Sequence, residues 1–166
     1  YQVGNENWTV NAISGDNNKG QTTGDPVAVM QEGDYNFAKM NIRGDNNSAY
    51  INQVGDNNIT GASSTMGYPE GVDIEGDDNT VAVDQLGNGN LASYRVYGWE
   101  NETDISQNGQ NNIAVIDHTW RDADNYKNVL NVTQTNNSQG AGNDFYAKLK
   151  GDKNIINIIQ NGGYNG

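Results

Sequence analysis

The chain has 166 residues, of which only 34% are hydrophobic and 8% aromatic, while Gly and Asn contribute 21 and 29. With a formal charge of -12, this composition argues against a conventional core of large apolar side chains and specifies disorder unless the few apolar residues recur with a period that brings them together. The 21 Asp and Glu against 9 Lys and Arg argue against a nucleic-acid surface, the lack of cysteine excludes disulfides and thiolate metal sites, and no stretch approaches the ~18 apolar residues of a membrane span.

Taken in chain order, the sequence is punctuated by Gly-x-x-Asn, beginning at Gly4, Gly15, Gly33, Gly44, Gly55, Gly76, Gly87, Gly98, Gly109, Gly140, Gly151 and Gly162. Chance would give about four such motifs, and most of the intervals between neighbours are 11 residues. The opening Tyr1-Gln2-Val3-Gly4 already lies inside the repeat, with no recognisable signal peptide, so this start reads as the end of a processing event or an artificial boundary. Two residues before each corner a second pattern alternates: Gln2, Ile13, Gln31, Ile42, Gln53, Ile74, Gln85, Val96, Gln107, His118, Gln134, Leu149 and Gln160. Odd members are Gln and even members are aliphatic apart from His118. The unit is therefore two strands of unlike character, about 22 residues long, with insertions of 7, 10, 5 and 4 residues near 19–25, 59–69, 119–125 and 135–140, all expected at corners.

Five residues separate a corner Asn from the next Gln or aliphatic, and the second and fourth of these share one face of a strand. Those pairs are mostly apolar, as in Ala38 and Met40, Ala49 and Ile51, Val81 and Val83, Ala114 and Ile116, Leu130 and Val132, and Ile156 and Ile158. The alternate places are largely polar, with Trp8, Phe37, Ile113, Ile155 and Ile159 as exceptions that could form a lateral face. Period 2 governs the chain.

A short strand cannot bury its apolar face alone, but stacked copies can. The expected fold is all-β: a two-sheet parallel β-solenoid, or β-arch stack, of about six rungs of two strands each with corner insertions, forming a single domain over 1–166. Stacking sets Gln over Gln, and the corner asparagines Asn7, Asn36, Asn47, Asn79, Asn90, Asn101, Asn112, Asn128, Asn143 and Asn154 over one another, so that each amide donates to one rung and accepts from the other. Corner glycine supplies positive φ, and Asn or Asp tolerates the left-handed region. Neither end is expected to carry a cap. The first strand, through Trp8, Val10 and Ile13, and the last, through Ile156 and Ile158, are expected as stacking edges on which identical chains join head to tail.

These residues resemble the curlin repeat of curli, the bacterial extracellular amyloid fibre, whose unit is approximately Ser-x5-Gln-x-Gly-x-x-Asn-x-Ala-x3-Gln. Gln31-Glu-Gly33-Asp-Tyr-Asn36-Phe-Ala38, Gln85-Leu-Gly87-Asn-Gly-Asn90-Leu-Ala92 and Gln107-Asn-Gly109-Gln-Asn-Asn112-Ile-Ala114 match its centre. Gln2 to Asn7, Gln53 to Asn58 and Gln160 to Asn165 match its shorter core. The chain departs from it in replacing the second Gln by Ile13, Ile42, Ile74, Val96, His118 and Leu149, and in its insertions. The resemblance implies secretion through an outer-membrane pore, assembly outside the cell with a nucleator as partner, and a role in biofilm matrix or adhesion.

Other constellations are thin. His118 has no second His to form a metal site or relay with, and it sits in the aliphatic series as a tolerated substitution. The corner acids Asp16, Asp34, Asp45, Asp56, Asp77 and Asp152 would repel when stacked and a hard cation could bridge them, but solvated acids that limit aggregation are the simpler reading. Trp8, Trp99 and Trp120 do not assemble an evident sugar platform, and outward Thr is limited to places such as Thr80 and Thr133, too few for an ice-binding ladder. With no nucleophile and base, no carboxylate cleft and no distinct phosphate loop, neither an enzyme nor a cofactor is expected. The expectation is a structural fibre subunit. The alternative is a monomeric β-solenoid adhesin or cation-binding module that displays its insertions.

Overall fold

The structure is a computed structural model, and it describes residues 1–16, 18, 28–61, 72–97, 102–118, 129–136, 142–148 and 154–162. Among the described residues fourteen strands follow one another: β1 Gln2–Val3, β2 Trp8–Ser14, β3 Ala28–Glu32, β4 Phe37–Arg43, β5 Ser48–Val54, β6 Ile59–Thr60, β7 Val72–Glu75, β8 Thr80–Leu86, β9 Leu91–Tyr97, β10 Glu102–Asn108, β11 Ile113–His118, β12 Val129–Thr135, β13 Asp144–Lys148 and β14 Ile155–Asn161. No helix occurs among the described residues. The first sheet runs β1-β3-β5-β8-β10-β12-β14 and the second β2-β4-β6-β9-β11-β13, with β7 lying beside β6 between β4 and β9. Every pairing is parallel, and the chain passes from one sheet to the other at each corner, so the two sheets face each other as a β-solenoid.

The register explains why so poor a composition folds. Gln2, Gln31, Gln53, Gln85, Gln107, Gln134 and Gln160 stand in one column of the first sheet. Ile13, Ile42, Ile74, Val96 and His118 form the corresponding backbone column of the second. Because strands repeat along the stack at about 4.8 Å, each inward residue is covered by its counterpart above and below. Ile42, Ile51, Ile74, Val83, Ile116 and Leu130 are thereby fully buried, in a core only two side chains thick. The chain reverses at each corner, so the position next to Gln faces the start of a second-sheet strand. Small residues stand there, Ala38, Thr60, Ala92 and Ala114, all fully buried, and leave room for the amide.

One insertion is placed differently from the expectation. The extra residues near 59–69 interrupt a strand instead of a corner: Ala38 pairs with Thr60 and Met40 with Val72, so Thr60 and Val72 are separated by eleven residues in sequence where their partners in β4 are separated by Lys39 alone. Pairing resumes in register because β4 and β9 hold both halves. The stretches near 19–25, 119–125 and 137–140 lie outside the described residues.

Candidate functional site: amide ladders and the ends of the stack

At the corners that begin at Gly4, Gly33, Gly44, Gly55, Gly76, Gly87 and Gly109 the glycine adopts φ between 109° and 135° and the third residue also has positive φ. At Gly55 two constraints coincide. Its φ is 111°, and an added Cβ would stand 2.2 Å from the carbonyl oxygen of Gly87 in the next level, so neither backbone nor packing admits a side chain. The third corner residues Asn46, Asn57, Asp78 and Asn111 are types that tolerate this conformation, whereas Glu6 at 54° and Tyr35 at 60° are not.

Corner asparagine then links levels. Asn36 Oδ1 accepts from the backbone N–H of Asn58 at 2.9 Å, while its Nδ2 donates to Gly55 O at 2.7 Å. The chain of such bonds runs Asn7, Asn36, Asn58, Asn90, Asn112, Asn143 at one set of corners and Asn18, Asn47, Asn79 at the other. Asn18 and Asn58 belong to these ladders although they were not among the expected members; the Gly-x-x-Asn signal was present at both. Asn154 is described, and its carbonyl accepts from Val129 N. Asn101, Asn128, Gly98, Gly140 and Gly151 lie outside the described residues. The level that follows Gly109 is irregular. Asn136 takes the glycine place expected for Gly140, its N–H donating to Asn108 O and its carbonyl lying where a Cβ on Gly109 would go.

The corner acids have a use the sequence pattern did not reveal. Asp34, Asp45, Asp56 and Asp77 each turn Oδ1 back onto a backbone N–H of the preceding level, from Asn5, Asp16, Asp34 and Asp45 at 2.7–2.8 Å. Charge-assisted bonds of this kind offset the repulsion of stacked carboxylates. Among the described residues no group of three or more His, Cys, Asp or Glu could hold a metal ion.

The glutamine ladder is continuous and points one way. Nε2 donates to Oε1 of the next level from Gln2 to Gln31 (2.6 Å), Gln31 to Gln53 (2.8 Å), Gln53 to Gln85, Gln85 to Gln107 and Gln107 to Gln134 (each 2.9 Å), and Gln134 to Gln160 (2.8 Å). The second amide hydrogen crosses to the other sheet, where Phe37 O, Ile59 O, Leu91 O, Ile113 O and Asp144 O accept it from Gln53, Gln85, Gln107, Gln134 and Gln160. Each Gln therefore clamps an arc and ties it to its neighbours. Thr9 and Thr60 add hydroxyls to the same network.

At both ends the interior opens. Ile13 in β2 is 43% exposed whereas Ile42, next in its column, is fully buried. In β14, Ile156 and Ile158 are half-buried although Leu130 and Val132 beneath them are covered. The inward residues of β2 are Thr9, Asn11 and Ile13, in register with Ala38, Met40 and Ile42. Trp8 and Val10, expected on the stacking edge, lie in that edge strand but on its outer side, beside Phe37 and Lys39. Trp8 heads an outward column with Phe37, Ile59, Leu91 and Ile113 that ends at Asp144.

On the outer face of the first sheet, Ala82 and Ser106 leave a shallow depression of about 380 Å³ beside Asp84 and Asp104, whose carboxylates accept from Asn52 and Asn131. Tyr50, in the Ala82 column, has its phenol pushed above the usual pKa by burial and then by the Asp84 carboxylate. Among the described residues no helix is long and apolar enough to cross a membrane. No family model, curated protein or solved structure matches this chain.

Proposed function

We propose that the chain is the structural subunit of a curli-like extracellular fibre, lengthening by head-to-tail stacking of identical solenoids and serving biofilm matrix or adhesion. The observation that carries this reading is the one-way glutamine ladder, which runs unbroken from Gln2 at one end of the first sheet to Gln160 at the other. Such a ladder has a donating side and an accepting side. A second copy in the same orientation can prolong it, whereas one in the opposite orientation sets like against like. Half-buried Ile156 and Ile158 supply apolar area at the joint, and parallel edges supply backbone groups. Secretion through an outer-membrane pore and a nucleator as partner follow from the curlin resemblance alone.

The test is assembly of purified chain, read by microscopy and fibre diffraction. The expected result is unbranched filaments with a meridional reflection near 4.8 Å. Replacing Ile156 and Ile158 by Lys is expected to stop elongation while leaving the solenoid folded. Monomers that persist for days at high concentration without that order would overturn the reading.

The alternative, a solenoid module that displays its insertions, draws support from the interrupted third level of the second sheet. Thr60 and Val72 both keep their register with β4 although ten extra residues separate them in sequence, so the neighbours' pairing is preserved across the insertion.

A further inference from the structure

One corner carries a dipeptide that can react with itself. In Gly87-Asn88-Gly89-Asn90 an asparagine precedes glycine, the pairing in which the following backbone nitrogen meets least hindrance in attacking the side-chain amide. Asn88 is exposed, and it stands where the two levels before it carry Asp34 and Asp56. Two other described asparagines precede a glycine, Asn108 and Asn161, but each ends a strand, so only Asn88 lies with its glycine inside the arc.

The fold holds both reacting groups through one residue of the preceding level. The backbone N–H of Asp56 donates to Asn88 Oδ1 at 2.8 Å, and the N–H of Gly89 donates to Asp56 O at 2.9 Å. The peptide that joins Asn88 to Gly89 is gripped from the following level as well, since Asn111 N donates to Asn88 O at 3.0 Å. Attack requires the Gly89 nitrogen to lose its proton and turn onto Asn88 Cγ. That breaks the bond to Asp56 O and swings the side chain off Asp56 N, so reaction waits on local opening of these levels.

We propose that Asn88 is a self-modification site controlled by the stack: it persists while the corner is closed and converts to aspartate and isoaspartate when the chain is open. Gly89 N bonds to Asn88 Cγ as its proton passes to solvent base. The Cγ–Nδ2 bond breaks, the departing nitrogen takes up a proton and leaves as ammonia, and a cyclic succinimide remains. Water then adds to one of the two imide carbonyls. Cleavage at Cγ restores an ordinary backbone with aspartate at 88, whereas cleavage at the backbone carbonyl carbon sends the chain through Cβ and Cγ and leaves the α-carboxylate free.

The corner receives the two products differently. Aspartate keeps an oxygen for Asp56 N, as Asp34, Asp45, Asp56 and Asp77 do for the levels before them. Isoaspartate adds a carbon to the main chain of an arc with no slack: a Cβ on Gly87 would stand 2.1 Å from Gly109 O, and one on Gly89 would stand 2.6 Å from Asn111 Oδ1. It also moves the peptide carbonyl that Asn111 N uses. An open chain therefore has a limited time in which to close, and a closed one is protected.

The full wild-type chain tests this in warm, mildly alkaline buffer, either folded or in denaturing urea, with peptide mapping by mass spectrometry to follow aspartate and isoaspartate at 88. The folded chain is expected to convert at least about tenfold more slowly, and the rate is expected to rise with urea in step with the unfolded fraction. Equal rates in the two states would overturn the control by the stack. Chain aged in urea is then returned to buffer and divided by limited proteolysis. Isoaspartate at 88 is expected to be at least about tenfold depleted from the resistant pool, and its equal presence in both pools would overturn the part given to the arc. Asn88→Asp is expected to keep a urea midpoint close to that of the wild type; failure to fold would overturn the distinction between the products.

Discussion

The two kinds of corner do the same topological work by different chemistry. At the glutamine corners an amide reaches across the arc to a backbone carbonyl and up the stack to the next amide, as Gln85 does toward Ile59 O at 3.1 Å and Gln107 at 2.9 Å. At the aliphatic corners Ile42 and Ile74 only fill space, and the inter-level bonds come from Asn18, Asn47 and Asn79 and from the corner acids. A hydrogen-bonded column demands one position and one orientation from every member, while an apolar column demands only volume. This accounts for the uniformity of the seven Gln beside a series that accepts Ile, Val, Leu and His.

The contrast can be broken most forcefully at Gln85. It is fully buried, accepts from Gln53 and Thr60, and donates to Gln107, Ile59 O and Asn90 O. Gln85→Leu conserves much of the volume but leaves partners on three sides unsatisfied, with an expected loss of about 3–5 kcal/mol. The measurement is the urea midpoint followed by far-ultraviolet circular dichroism. A loss below about 1 kcal/mol, the scale of a mild core change, would remove the clamp from the account.

The reverse substitution is expected to have the next largest effect. Ile42 is fully buried between Ile13 and Ile74, so Ile42→Gln buries a lone amide among aliphatic neighbours at an expected cost of about 2–4 kcal/mol. Replacing Ile13, Ile42 and Ile74 together by Gln gives each amide a stacked partner. The combined loss is then expected to be less than the sum of the three single losses, measured by the same denaturation curves. Additive losses would mean that a Gln column depends on the arc around it more than on its own stacking.

How far the sequence exposed this architecture depends on what each signal measures. Gly-x-x-Asn and the alternating Gln mark corners and strand ends, and with period 2 they specify two parallel sheets and the inward faces. They give the length of an insertion but not where it leaves the register. Between Gly55 and Gly76 ten extra residues are countable, yet only pairing with β4 and β9 locates them after Thr60. For the same reason Gly140 satisfies the motif while the glycine place is taken by Asn136. The caps formed by Asp34, Asp45, Asp56 and Asp77 were not legible because each joins residues of different levels that no local spacing brings together.

The smallest expected effect is a gain, and it separates backbone demand from ladder chemistry at a glutamine corner. Tyr35 adopts φ 60° and is 54% exposed, and its N–H donates to Asn5 O at 3.0 Å, the bond that Asn57 makes to Asp34 O one level on. The position needs a left-handed residue and uses little of the ring. Tyr35→Asn keeps the backbone bond and relieves the Cβ strain, so stability is expected to rise by about 0.5–1 kcal/mol, read as a higher urea midpoint. Asn57→Tyr at the equivalent place is expected to lower it by a similar amount, because Asn57 shares the same φ of 59° and the same kind of bond. Opposite signs at the two positions would assign the effect to φ alone. Equal signs would show that the Tyr35 ring holds a contact of its own, and that the corners are individually tailored instead of interchangeable.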